Sequence, residues 1–202
     1  LRHLKYHSST VNKVFAFAGA LALAITPAAS LAEERVVNGY TIEAYANLNG
    51  TDLSRANLNG AELSHANLSG ANLYRADLAD ANLFGANMSG ARIDMARLVR
   101  ANMTSVNLSS ADLNNADLMS ANLRSADLSF TSLVNAWMSS ANLNGANLDG
   151  ANLMSADLTG ANLTGANLTG ANLSGVRATN LRGCPRALPN GWVCENNSLI
   201  QR

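Results

Sequence analysis

A five-residue repeat runs without interruption through 26 pentads, from residue 46 to residue 175. Each pentad has a small residue, a polar residue and an aliphatic residue, followed by two variable residues. The aliphatic position is leucine and the small position is alanine, with few exceptions. The exceptions are Met88, Ile93, Met103 and Met138 at the aliphatic position and Thr51, Val106 and Thr131 at the small position. A period of five fits neither an α-helix nor a flat β-strand, so the chain must turn in every pentad to return the same two positions inward.

The remaining positions of the pentad carry the residues that such turns need. Glycine, serine and asparagine dominate the fifth position, and asparagine or aspartate dominates the second. These residues tolerate turn geometry, and the short polar side chains hydrogen-bond to nearby backbone. Turn chemistry and apolar pattern therefore predict the same structure, a coil with flat sides.

The pattern Ala-(Asn/Asp)-Leu-x-x resembles that of the pentapeptide-repeat family, most clearly in ANLTGANLTGANLSG over residues 161–175. The match covers about two-thirds of the chain. The resemblance implies an all-β fold, a right-handed quadrilateral β-helix with four pentads in each coil and about six and a half coils. In such a helix the small and aliphatic side chains point inward.

Charged residues favour four sides over three, because four sides stack residues that are twenty apart. The pairs brought together are Arg97 with Asp77 and Asp117, Arg100 with Asp80, and Arg92 with Asp112. Three sides would stack residues that are fifteen apart, which gives fewer opposite pairs and places Asp112 against Asp127.

Residues 1–32 have the features of a secretory signal peptide. A basic stretch ends at Lys13, an apolar run covers residues 14–25, and small residues at Ser30 and Ala32 precede Glu33. A membrane anchor is the alternative, but a span needs about 20 apolar residues and this run has about a dozen. The sequence therefore predicts export to the periplasm or the medium, with no membrane span left after cleavage.

Two flanks are predicted to cap the coil ends, which would otherwise expose unpaired strand edges. The N-terminal cap is residues 33–45, and the residues expected to dock on the first coil are Val36, Val37, Tyr40, Ile42 and Tyr45. The C-terminal cap is residues 176–202, where Asn190-Gly191 predicts a hairpin. In an exported chain Cys184 and Cys194 are expected to form a disulfide. Residues 183–200 also resemble a Cys-Pro…Trp-x-Cys spacer found after the repeats in exported members of the family.

The composition argues against catalysis and against cofactor or metal binding. After Ala32 the chain has no lysine and one histidine, His65, which is interpreted as a solvated surface residue. Asparagine outnumbers aspartate and no calcium-binding nonapeptide is present, so a calcium site is not expected. Residues 33–202 carry 11 arginines and 14 acids, and this net charge of −3 gives no reason to expect nucleic-acid binding.

These observations predict an exported, non-enzymatic scaffold that binds a protein partner not identifiable from the sequence. The alternative is topoisomerase protection by DNA mimicry, which some cytoplasmic members of the family perform, and which export and weak charge disfavour. The expected partner-binding residues are Val99, Met119, Val134, Trp137 and Met154. Drift at tolerant surface positions would produce the same residues, since scattered exposed apolar side chains are common.

The leader assignment predicts that protein recovered from the extracytoplasmic fraction begins at Glu33 with both thiols oxidised. Intact-mass spectrometry measures both features in one experiment. Free thiols, or a mass that includes residues 1–32, would contradict the assignment.

Overall fold

The computed structural model describes residues 35–202, and the predicted leader over residues 1–32 lies outside them. The described part of the chain consists of strands, isolated bridges and turns, with no helix. Two short antiparallel hairpins stand at its ends. The first pairs β1 (Val36–Val37) with β2 (Tyr40–Thr41), and the second pairs β3 (Trp192–Glu195) with β4 (Ser198–Gln201).

Between the hairpins, parallel β-bridges join residues that are twenty apart. The series starts at Asn47 with Asn67 and continues to Asn152 with Asn172. One coil is therefore four pentads long, as the charge pattern predicted. We call the pentads spaced by twenty residues a side, and the equivalent residues spaced by twenty a column.

Backbone hydrogen bonds hold each coil to both of its neighbours. The N–H of Leu53 donates to the carbonyl of Asn72 at 2.8 Å, and the N–H of Asn72 donates back to the carbonyl of Thr51 at 2.9 Å. The same pair of bonds recurs along all four sides. Since hydrogen-bonded strands are about 4.8 Å apart, this is also the rise from one coil to the next.

Each side ends in a tight turn that involves the last two residues of the pentad. The N–H of Ala56 donates to the carbonyl of Leu53 at 3.1 Å, and Arg55, the fifth residue of its pentad, has φ of +56°. A positive φ at this position of a β-turn explains the excess of glycine there, because glycine has no Cβ to clash. The carboxylate of Asp52 accepts the N–H of Ser54 at 3.0 Å, which explains the preference for Asn or Asp at the second position.

The core contains the small and aliphatic columns, and it is buried along the whole series of coils. Their members from Ala56 to Leu173 have almost no exposed surface, whereas Thr51 in the first coil is half-buried. The buried hydroxyl of Thr131 replaces an alanine methyl and donates to the carbonyl of Leu108 at 2.9 Å. Across residues 35–202, every buried side-chain polar atom has a hydrogen-bond partner. The inward register predicted from the sequence is therefore the one in the structure.

The N-terminal flank docks with only part of the expected set of residues. Val37, Tyr40 and Ile42 pack against the core, as predicted. The prediction was wrong for Val36, which is 51% exposed. Tyr45 is 72% exposed, but it does contact the first coil, through its backbone N–H to the carbonyl of Ser64 at 2.8 Å and through a ring stack on His65. In the two-residue hairpin Val37 pairs with Tyr40 and faces the core, so Val36 must face away, and Tyr45 occupies the outward fifth position with φ of +63°.

The coil continues beyond the last regular pentad. Asp157 bridges Arg177, Asn162 bridges Gly183 and Asn167 bridges Ala187, so one extra residue is accommodated between the first two of these bridges. Ala178 and Leu181 keep the inward positions filled. The first half of the flank is thus built like the coils, and the hairpin of β3 and β4 follows it.

The hairpin turn is not at Asn190-Gly191, where the sequence predicted it. It lies at Asn196-Asn197, where both residues have positive φ, +47° and +57°, as the favoured two-residue hairpin turn requires. At Asn190-Gly191 only the glycine has positive φ, which gives a simple reversal between Pro189 and Trp192. Cys194 in β3 is joined to Cys184 by a disulfide with a Cα–Cα distance of 5.9 Å, as expected.

Replacement of a mid-rod inward residue should be far more harmful than replacement of its outward neighbour. Leu118 is completely buried, so Leu118→Asp buries an unpaired carboxylate and should lower the free energy of unfolding by more than about 4 kcal/mol. Met119 is 39% exposed, so Met119→Ser should change it by less than about 0.5 kcal/mol. Denaturant unfolding of the two variants measures both values, and equal losses would contradict the register.

Reduction of the disulfide should loosen the C-terminal hairpin and leave the coils intact. The bond closes a loop with a sequence separation of 10, for which chain entropy predicts a loss of about 2 to 3 kcal/mol. Both cysteines lie after the regular pentads, so the loss should be local. Hydrogen exchange with and without reductant measures it amide by amide, and loss of protection in the first coils would contradict it.

Candidate protein-interaction surface

The five apolar residues expected to bind a partner lie on four consecutive coils. We call Val99, Met119, Val134, Trp137 and Met154 the Trp137 surface. Residues twenty apart lie in one column, which places Val99 next to Met119 and Val134 next to Met154. At about 4.8 Å for each coil, the Trp137 surface spans about 14 Å along the axis.

Three of these side chains are substantially exposed. Trp137 is 59% exposed, Met154 41% and Met119 39%, whereas Val99 and Val134 are half-buried. Trp137 occupies the second position of its pentad, where asparagine or aspartate usually makes the turn. Its backbone bridges Asp117 in the preceding coil and Asp157 in the following coil, so its position in the column is fixed. Partner binding by these residues remains a prediction.

Trp137 interrupts a column of alternating charge. In order along the column, its last six members are Asp77, Arg97, Asp117, Trp137, Asp157 and Arg177. A guanidinium nitrogen of Arg97 donates to both carboxylate oxygens of Asp77, at 3.2 and 3.4 Å. The predicted pair of Arg97 with Asp77 is therefore confirmed. The predicted pair of Arg97 with Asp117 was wrong, because the guanidinium is directed to the coil before it and, within residues 35–202, Asp117 makes no ion pair.

The fifth-position column of the same side contains a stronger pair. Arg100 donates through Nε and Nη2 to the two carboxylate oxygens of Asp80, at 2.7 and 2.6 Å. These hydrogen bonds hold the pKa of Asp80 below its ordinary value and raise the pKa of Arg100. Both groups are solvent-exposed, so the pair adds little to the free energy of unfolding.

The prediction that Arg92 pairs with Asp112 was wrong. The backbones of these two residues are bridged, but Nε of Arg92 donates to Asp94 in its own pentad at 2.8 Å. Asp94 lies on the same side of the coil, two residues along the chain. The guanidinium of Arg92 also lies 4.5 Å from the centre of the Tyr74 ring, a cation–π contact that turns it away from Asp112.

Asp157 remains ionised although it is partly shielded from solvent. Burial raises the pKa of Asp157, but hydrogen bonds from the hydroxyl and backbone N–H of Thr159, together with the positive charge of Arg177, lower it below the ordinary value overall. The carboxylate beside Trp137 is therefore negatively charged at neutral pH.

Net charge is distributed unevenly along the coil axis. The first thirteen pentads, residues 46–110, contain five acids and five arginines and are neutral. The second thirteen, residues 111–175, contain five aspartates and one arginine, which leaves −4. The flank at 176–202 has four arginines and one glutamate among its side chains, which gives +3. Four of the five residues of the Trp137 surface lie in the acidic half.

A second exposed aromatic group lies near the N-terminal end and was not predicted. Tyr45 stacks on His65 with ring centres 5.0 Å apart, and Phe84 meets the same imidazole edge-on at 5.2 Å. His65 is exposed, as interpreted, but it is held between two rings. The twenty-residue spacing of Tyr45 and His65 was the signal that could have revealed the stack.

Residues 35–202 include no group of three His, Cys, Asp or Glu side chains placed to hold a metal ion. In the same part of the chain, no helix is long and apolar enough to cross a membrane.

The family model for pentapeptide repeats matches the chain with eight copies, over residues 44–73, 61–98, 101–139 and 136–175. No match is found among curated proteins. Among solved structures the chain is similar to HetL of the cyanobacterium Nostoc sp. strain PCC 7120, a pentapeptide repeat protein involved in regulation of heterocyst differentiation. The identity is 30%, over 73% of this chain and 83% of HetL, with a TM-score of 0.33.

Two further solved structures have similar repeats. Rfr23 of the cyanobacterium Cyanothece 51142 is 29% identical, over 61% of this chain and 88% of Rfr23, with a TM-score of 0.31. QnrB1, a plasmid-mediated fluoroquinolone resistance protein, is 17% identical, over 70% of this chain and 92% of QnrB1, with a TM-score of 0.41. The repeats themselves, matched from residue 44 to residue 175 with only two residues skipped, establish that the chain belongs to the pentapeptide-repeat family.

Proposed function

We propose that this protein is an exported, non-enzymatic scaffold that binds a protein partner through the Trp137 surface. The observation that carries the proposal is the exposed indole of Trp137, in a position where the repeat otherwise places small polar side chains. Exposed aromatic residues on rigid surfaces dominate many protein interfaces, because they bury a large area with little loss of conformational freedom.

The proposed scaffold is a right-handed quadrilateral β-helix of about six and a half coils. Family membership supports this handedness, and the bridges between residues twenty apart support the four sides. The paired backbone and the buried columns fix where the outward residues stand, so the relative positions of the residues of the Trp137 surface are set before a partner arrives. This pre-organisation lowers the entropy cost of binding.

Export to the periplasm or the medium is the proposed location. The leader features of residues 1–32 support it, and so does the disulfide between Cys184 and Cys194, because such bonds persist in oxidising compartments and are rare in the cytosol. A non-enzymatic role is consistent with the single histidine and the absence of lysine after Ala32.

DNA mimicry is less well supported as a function. Duplex DNA carries about one charge for each 1.7 Å of its axis, so the acidic half of the rod, about 15 Å long, would need about nine negative charges. It has a net charge of −4, and its five aspartates are distributed over three sides. A gyrase supercoiling assay with purified protein tests the alternative, and an effect at low stoichiometry would favour it.

The double variant Met119→Ser, Trp137→Asn should abolish partner recovery in a crosslinking pull-down from the extracytoplasmic fraction. Both changes install residues that the repeat already uses at these positions, so the coils should remain intact. Phe130→Asn is the matched control, because Phe130 is 67% exposed on a different side and asparagine already occupies the fifth position elsewhere. Equal recovery by the folded double variant and the control would leave the Trp137 surface without a role.

A further inference from the structure

The placement of charges in the Trp137 column follows one rule. Arg97 pairs with Asp77, the residue twenty positions earlier. Arg177 stands twenty positions after Asp157 and forms no ion pair with it, although its positive charge helps to lower the pKa of Asp157. In the fifth-position column of the same side, Arg100 pairs with Asp80, which is again twenty positions earlier. On this side of the rod an arginine thus stands twenty positions after Asp77, Asp80 and Asp157, and it forms an ion pair with the first two.

Asp117 breaks the rule, because the residue twenty positions after it is Trp137. Within residues 35–202 the carboxylate of Asp117 makes no ion pair, and its Oδ1 accepts the backbone N–H of Met119 at 3.1 Å. An indole thus stands where a cation would complete the alternation. Its face is itself attractive to a cation, because the ring quadrupole is negative there.

The surroundings of Trp137 are negative over a longer range as well. The nearest residues of its column are Asp117 and Asp157, about 10 Å apart across two coils. The thirteen pentads around them carry a net charge of −4, while the first thirteen are neutral. Charge complementarity therefore favours a cationic occupant in this half of the rod over the neutral half.

The apolar members of the Trp137 surface suit the rest of such an occupant. Met119 is exposed one coil from Trp137 on the same side, Met154 is exposed one coil away on the adjacent side, and Val99 lies next to Met119 in its column. Long basic side chains cover apolar surface with their aliphatic stems while the charged head reaches polar groups. Arginine fits better than lysine, because a planar guanidinium stacks on an aromatic ring and offers several N–H donors to flanking carboxylates.

We propose that the Trp137 surface binds an arginine side chain of its protein partner, with the guanidinium on the indole of Trp137 and between the carboxylates of Asp117 and Asp157. The inference rests on the proposed function and adds the chemistry of the partner. It predicts that the partner presents an exposed arginine whose aliphatic stem contacts the apolar residues of the Trp137 surface.

The probe is the capped peptide acetyl-Gly-Ser-Arg-Leu-Gly-amide, titrated into the purified full chain. The readout is the NMR resonance of the Trp137 indole N–H, which Trp137→Phe distinguishes from that of Trp192, the other tryptophan. The peptide should shift this resonance saturably. The same peptide with citrulline, which is neutral and nearly isosteric with arginine, should bind at least about fivefold more weakly.

Carboxylate variants test the flanking residues. Asp117→Asn and Asp157→Asn should each weaken binding of the arginine peptide by about threefold. Asp127→Asn is the matched control and should change nothing, because Asp127 holds the same position in a pentad of another side and accepts the equivalent backbone N–H, from Ser129 at 3.0 Å. Absence of binding, equal binding of the citrulline peptide, or equal effects of the three variants would each overturn the inference.

The titration and the pull-down can fail independently, so the arginine inference and the proposed function are tested separately. If the pull-down recovers a partner that depends on Trp137 while arginine and citrulline peptides bind equally, the proposed function stands and the arginine inference fails. If the arginine peptide binds as expected but no partner depends on Trp137, the cation site is correct and the proposed function is wrong.

Discussion

The positive φ at the fifth residue of each pentad is the constraint on which the rest of the structure depends. The turn at this residue bends the chain in the same way every five residues. The small and aliphatic positions therefore return to the core, although their period is neither that of a helix nor that of a strand. In the repeats, where this residue is not glycine it is mostly serine, asparagine or another short polar residue. A β-branched residue at that position would strain every backbone contact built on the turn.

Because the turns and the two inward columns fix the fold, the outward positions can vary with little effect on stability. This separation explains why charged residues, an ion pair and a tryptophan can occupy equivalent positions of one column. Each coil contacts only its neighbours, so a change at one height has a local effect. Function in such a molecule must be sought in departures from the repeat, and Trp137 is the clearest of these among the second-position residues.

Much of this architecture could be predicted from the sequence, since it depends on local rules repeated 26 times. The inward register, the pairing of Arg97 with Asp77 and the disulfide between Cys184 and Cys194 all follow from spacing. The misplaced features depend on single residues without a repeat to support them. Arg92 found a nearer carboxylate and an aromatic ring, and the hairpin turn formed where two successive residues could both adopt positive φ. Spacing identified the Trp137 surface but not its charge, which emerges only when the column is followed coil by coil.

The uneven charge along the axis has a consequence for symmetry. A surface on which every coil resembles the next offers a ligand many equivalent docking heights, so a partner could slide or bind in several alignments. The first section of the rod is neutral, the second has a net charge of −4 and the terminal section has a net charge of +3. The docking positions are therefore not equivalent for a charged partner. Because the charge differs from one section to the next, a charged partner would favour one position and one orientation along the axis, which the repeated backbone alone does not specify.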